Sequence, residues 1–179
     1  MEILPQLNFW LALGTIVLQL AAIKLLAIYT LRSRNSYCAW LSSFIKPHAL
    51  FALFVLSLLA AFMTLVYSDY LGIEPCPLCW WQRIFLYPQV ILLGMAAWKR
   101  DYYIADYAIV LSVFGAGVAL YHHALQMLPG SGLPCPATGV SCAQRFLFEF
   151  GYITYPLMAF SLFVLIIVTM FFVRSEQTS

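Results

Sequence analysis

Long apolar runs separated by short polar breaks dominate the chain. Five of them, Leu7 to Leu31, Ala49 to Tyr67, Trp80 to Trp98, Tyr103 to Leu125 and Ile153 to Val173, are near or above the roughly 20 residues of helix that cross a hydrocarbon core of about 30 Å. The pattern predicts an all-α integral membrane protein with five spans and no separating linker. The first run opens on Met1 and Glu2 rather than a basic segment, and it is longer than the apolar region of a secretory signal. It is therefore expected to stay as a span. Gly115 and Gly117 flank Ala116 in the fourth run and read as close helix packing. They lack the preceding strand and further spaced glycines of a nucleotide loop.

Composition agrees with a lipid solvent. Of 179 residues, 64% are hydrophobic and 9% charged, with a mean hydropathy of +0.90. A soluble domain carries roughly a quarter charged residues. There is no basic run and no nucleic-acid motif. The net charge of +2 matters less than its distribution. Arg32, Arg34, Lys46, Lys99, Arg100 and Arg174 fall on one side of a five-helix path, and Arg83 and Arg145 on the other, with Glu2, Asp69, Glu74 and Glu149. The positive-inside rule then places the N-terminus outside and the C-terminus in the cytoplasm. Lys24 and Gln19 lie inside the first span, where Lys24 can snorkel toward the cytoplasmic end.

That orientation puts Cys76, Cys79, Cys135 and Cys142 together on the outer face and Cys38 alone inside. Disulfides persist in oxidising compartments and rarely in the cytosol. The stretch "EPCPLCWWQR", residues 74 to 83, holds two cysteines in a proline-flanked turn. A bond across so short a gap adds little chain-entropy stabilisation, whereas the spacing suits exchange, one thiolate attacking and its neighbour resolving. Cys79 falls at the start of the third helix, where backbone N–H groups and Arg83, one turn on, favour a thiolate. Three other readings stay open: cysteine as a small buried hydrophobe, two structural disulfides, and a four-cysteine zinc site. Cys76 and Cys79 have zinc-knuckle spacing, but Cys135-x6-Cys142 is looser than zinc ribbons use. Arg83 could snorkel, yet it sits a turn inside the helix on the side disfavoured for basic residues, which makes it a site candidate. Trp80 and Trp81 beside it suit a flat, membrane-soluble molecule, although aromatic belts place tryptophan at every interface. His122 and His123 end the fourth helix on the same face; being about 100° apart, at most one faces a site there.

Three segments carry a family resemblance: "CPLCWWQR", "YHHALQ" and "GVSCAQRFLFEFGYITYPLMAF". In this order they resemble the bacterial disulfide-bond formation protein B (DsbB) family, including its shorter Gram-positive type often called BdbC, over about residues 49 to 173. The resemblance implies a four-helix redox domain over 48–179, with residues 1–47 an additional spanning helix and cytoplasmic loop. It implies a quinone-dependent oxidoreductase of the bacterial inner membrane that reoxidises a periplasmic DsbA-like, thioredoxin-fold dithiol oxidase. Electrons would pass to ubiquinone or menaquinone. Cys135 would form the mixed disulfide with that partner, Cys142 would exchange with Cys76, and Cys79 would face the quinone with Arg83 and His122 beside it. The chain departs from the family in its first 47 residues and in the six-residue spacing of Cys135 and Cys142. The vitamin K epoxide reductase family also has two cysteine pairs on a four-helix core, but there the loop pair precedes the Cys-x-x-Cys. A membrane interaction protein with structural disulfides is the non-enzymatic alternative.

Overall fold

The computed structural model describes residues 3–128 and 140–174. Five α-helices account for most of them: α1 (Ile3–Leu31), α2 (Ser36–Leu65), α3 (Pro77–Lys99), α4 (Ile104–Met127) and α5 (Tyr155–Arg174). α1, Pro47–Tyr70, α4 and α5 are long and apolar enough to cross a membrane. α3 is not among these. Its Gln82, Arg83 and Gln89 lower its apolarity, and all three are buried inside the protein.

α2 departs most from the hydrophobic pattern. The span expected from Ala49 is preceded by further helix reaching back to Ser36, so only residues 32–35 join it to α1. Asn35 stops the helix by capping it: its backbone is extended and its side chain accepts a hydrogen bond from the Tyr37 N–H at 2.9 Å. Pro47 lies within the helix. Cys38, expected in a loop, is instead a buried residue in the first turn of α2. At its other end α2 widens into a π-helical turn over Val66–Tyr70, where the Leu71 N–H reaches back five residues to the Val66 carbonyl.

Helices α2, α3, α4 and α5 pack in a ring, each on its chain neighbour, and α5 closes it on α2. α1 lies outside the ring against α5 and α2. Successive helices alternate in direction. Asn8 meets Tyr67 and Tyr155 at one end, while at the other Tyr29 packs on Phe171 and Phe172. α5 is the most enclosed: 61% of its most apolar stretch is buried, against 17% for α1. Small residues let α4 approach it. Ala105, Ala108, Ser112, Gly115, Ala119, His122 and Gln126 make one buried stripe, and a Cβ on Gly115 would stand 2.5 Å from the Phe163 ring. Gly117 differs from expectation, since a Cβ there meets nothing within 4 Å. It faces away from the helix contact.

Candidate active site

The π turn and the following connection deliver the chain to Cys76, which is the N-cap of α3, with Pro77 in the first helical turn, where its missing N–H costs nothing. Cys79 then falls on the first turn. Its N–H and that of Trp80 both donate to the Cys76 carbonyl, at 3.0 and 3.2 Å. The two sulfurs are 3.0 Å apart, within hydrogen-bonding contact. Both cysteines precede the apolar run that begins at Trp80. The hydrogen bond with Cys79, together with burial, pushes the Cys76 thiol up to about 12. Accepting that hydrogen bond pulls Cys79 below the ordinary thiol range, against its own burial. The backbone and the Arg83 charge help to a smaller degree. The two thiols are therefore inequivalent, Cys79 being the more readily ionised.

Arg83 does not snorkel. It is buried, donates from Nη2 to the Thr64 carbonyl at 2.8 Å, and lies over the Trp80 ring at 5.1 Å. Thr64 stands just before the π turn, so the irregular end of α2 is what receives the guanidinium. That contact uses one of five N–H donors.

The stripe on α4 turns His122 inward and His123 away, where His123 meets the Thr154 hydroxyl at 2.9 Å. His122 is 1% exposed. Gln82 Nε2 donates to its Nδ1 at 2.9 Å, so in the neutral ring Nε2 carries the proton and donates to the Cys142 carbonyl at 3.0 Å. The Cys76 sulfur is 3.7 Å from the same nitrogen. Gln126, one turn on, donates to the Gln144 carbonyl at 3.0 Å, and Arg145 Nε donates to the Gln126 carbonyl at 2.6 Å. The segment after Cys142 is thereby tied to α4, and Cys142 packs with Cys76, Leu78 and Leu125 in one buried cluster. Cys135 lies outside the described residues.

Gln82, Gln126, Asn8 and the Thr64 carbonyl were not among the candidates. The side chains did leave a signal, since polar residues within apolar runs default to functional or packing roles in a membrane. The role of a backbone carbonyl leaves none.

These groups open on a cavity of about 610 Å³ lined by residues of all five helices. Cys76, Cys79, Arg83, His122 and Gln126 line one part, and mostly apolar residues the rest. Its size is that of a small-molecule site, roughly 300–1,000 Å³. A quinone needs donors for its carbonyls and its reduced form needs acceptors for its hydroxyls. Among the described residues, Arg83 has N–H groups to spare, and the Gln126 Oε1 is a buried acceptor with no partner. The donor set fits such a ring. A metal fits less well. Ligand atoms of Cys76, Cys79 and His122 lie within 4.8 Å of one another, but both nitrogens of His122 are already engaged.

A polarised dithiol at the polar end of an apolar cavity in a helical membrane bundle defines a membrane thiol–disulfide oxidoreductase. Comparison with known proteins agrees. Residues 46–173 match the family model "Disulfide bond formation protein DsbB". The chain is 39% identical over 133 residues to "Probable disulfide formation protein C 1" of Bacillus cereus, covering 74% of this chain and 96% of the relative. It is 35% identical over 130 residues to "Disulfide bond formation protein C" of Bacillus subtilis, covering 72% and 94%. It is 37% identical over 119 residues to "Probable disulfide formation protein" of Chlamydia trachomatis, covering 66% and 87%. No solved structure matches. The chain belongs to the DsbB disulfide bond formation family.

Proposed function

We propose that this chain takes two electrons and two protons from the dithiol of a soluble, DsbA-like thioredoxin-fold oxidase and passes them to a membrane quinone, ubiquinone or menaquinone. The observation that carries the reading is that Cys79 and Arg83 line the same apolar cavity. A disulfide between Cys135 and Cys142 is reduced by the partner, whose dithiol becomes a disulfide. The Cys142 thiolate then attacks Cys76 of a Cys76–Cys79 disulfide, beside which it is buried, releasing Cys79 as thiolate. Cys135 resolves the mixed disulfide, restoring the Cys135–Cys142 bond and leaving Cys76 and Cys79 as the dithiol. His122 supports this step by holding the Cys142 carbonyl. When bound, the quinone supplies the two-electron acceptor chemistry. The protein's part is to hold Cys79 as thiolate and keep the second proton on Cys76. Arg83 places a fixed positive charge where negative charge develops.

α3 is the fifth span in this reading. It lies antiparallel between α2 and α4, and its apolar run from Trp80 to Trp98, at about 1.5 Å per residue, covers the depth of a hydrocarbon core. Its polar residues turn into the bundle. The six-to-two distribution of basic residues then puts the cysteine end on the periplasmic side of a bacterial plasma membrane. Residues 1–47 form an addition to the redox domain of 48–179.

The test is single-turnover reduction of a quinone by the dithiol protein, followed by the quinone's absorbance, with oxidation of the four outer cysteines counted in parallel. One quinol per pair of thiols lost is expected. Absence of quinol, or stoichiometric zinc on these cysteines in the purified protein, would overturn the reading.

A further inference from the structure

α1 lies outside both the matched family residues, 46–173, and the shared four-helix ring, yet it supplies a wall of the cavity. Leu11, Gly14, Thr15 and Leu18 recur at i, i+3, i+4 and i+7, one face of the helix, and all four line it. This wall offers no unmet polar group, because the Thr15 hydroxyl donates to the Leu11 carbonyl at 2.9 Å. Two polar anchors bracket it. Asn8 Oδ1 accepts from Tyr67 and Tyr155, at 2.6 and 3.2 Å. Gln19 Nε2 donates to the Ser161 hydroxyl at 3.1 Å, and the Tyr152 hydroxyl to Gln19 Oε1 at 3.3 Å. Between anchors about 16 Å apart along the helix, α1 is held in place and the space beside it stays open. At Gly94 and Gly115 a Cβ would strike phenylalanine rings at 2.9 and 2.5 Å, but at Gly14 it meets nothing within 4 Å. The cavity also reaches the outer surface here: Val17 of α1 and Leu59 of α2 line it while 59% and 52% exposed.

We infer that the gap between α1 and α2 at Gly14 is a lateral portal and tail slot. In it the apolar tail of the membrane quinone lies against α1 while the ring reaches Cys79 and Arg83. The inference rests on the quinone reading. It gives α1 a definite task, since without it this side of the cavity has no wall and a tail there lies among mobile lipid chains. Lipid chains are as apolar as leucine, so the slot gains little by transfer. Its contribution is to restrict where the ring can go.

The test uses the full-length oxidised protein in lipid nanodiscs with a short-tailed quinone carrying a diazirine on its second isoprene unit. Photolysis is followed by peptide mapping. Protection of Cys79 by the same quinone, read as alkylation after brief reduction, reports ring occupancy separately. Label concentrated on peptides around residues 11–18 and 56–63 is expected. Gly14→Phe fills the slot and should lower that label by about fivefold or more, since the ring takes the volume the tail would occupy. Gly117→Phe, on the open face of α4, should leave it unchanged. Label spread over lipid-facing peptides, with Cys79 still protected, would overturn the tail slot and spare the quinone reading. Equal label in Gly14→Phe would also overturn the slot. Neither label nor protection in the unaltered protein would overturn both.

Discussion

Cys76 and Cys79 are chemically identical residues made different by which one donates a hydrogen bond. Cys79 accepts it and is held below the usual thiol range, while the Cys76 thiol stands near about 12. Cys76→Ala removes the largest influence lowering the Cys79 pKa, so that pKa should rise. In the reduced protein the pH midpoint of Cys79 alkylation should therefore move to higher pH. An unmoved midpoint would assign the effect to the helix terminus and Arg83 instead. Arg83 acts at the other side of the same thiolate. Arg83→Met keeps an unbranched stem and removes every donor. A charge-assisted contact is worth about 1.5–3 kcal/mol, and each 1.36 kcal/mol is about tenfold in rate. Quinone reduction should slow by about tenfold or more, while thiol exchange with the soluble partner is largely spared. Stopped-flow measurement of the two half-reactions separates these, and a variant defective only in partner exchange would place Arg83 in the wrong half.

At the scale of elements, helix approach is set by the smallest residues. Gly115 lets α4 rest on Phe163 of α5, and the same stripe carries His122 and Gln126 to the site. Gly115→Ala should cost about 1–3 kcal/mol by overpacking. Thermal unfolding in detergent should show a lowered midpoint, with Gly117→Ala near neutral. Equal effects at both positions would mean that the Phe163 contact does not govern stability. The π turn ending α2 plays a comparable part at the backbone level. Just before it, the Thr64 carbonyl accepts from both the Ser68 hydroxyl and Arg83, in a place where an unpaired buried guanidinium would be costly.

Across the whole molecule, alternating helix directions gather Cys76, Cys79, Cys142 and His122 at one end, which faces outside in the proposed topology. In a background without native cysteines, Ser141→Cys should react with an impermeant maleimide in intact spheroplasts. Arg100→Cys should react only after permeabilisation. Both positions are exposed, so burial does not confound the comparison. The opposite pattern would invert the topology and remove the periplasmic partner from the mechanism.

The sequence alone determined the helices, because burial in lipid demands long apolar runs whatever their partners. Their number, the all-α class and the family resemblance were all legible there. So were the candidate residues of "CPLCWWQR", since reactive residue types at fixed spacing need no tertiary context to be noticed. The start of α2 at Ser36 was not, because polar Ser42, Ser43 and Lys46 and the helix-breaking Pro47 hide a helix that Asn35 caps. Only the tertiary structure decided which groups face one another. Gln82 and Gln126 read as polar interruptions until α3 and α4 pack and set them on either side of His122. The polarity of the dithiol depends on a 3.0 Å sulfur contact that spacing permits but does not impose. The cavity is the clearest case. It is the space left between helices distant in sequence, with α1 tethered beside it by Asn8 and Gln19, and a volume bounded by five helices has no signature in any one of them.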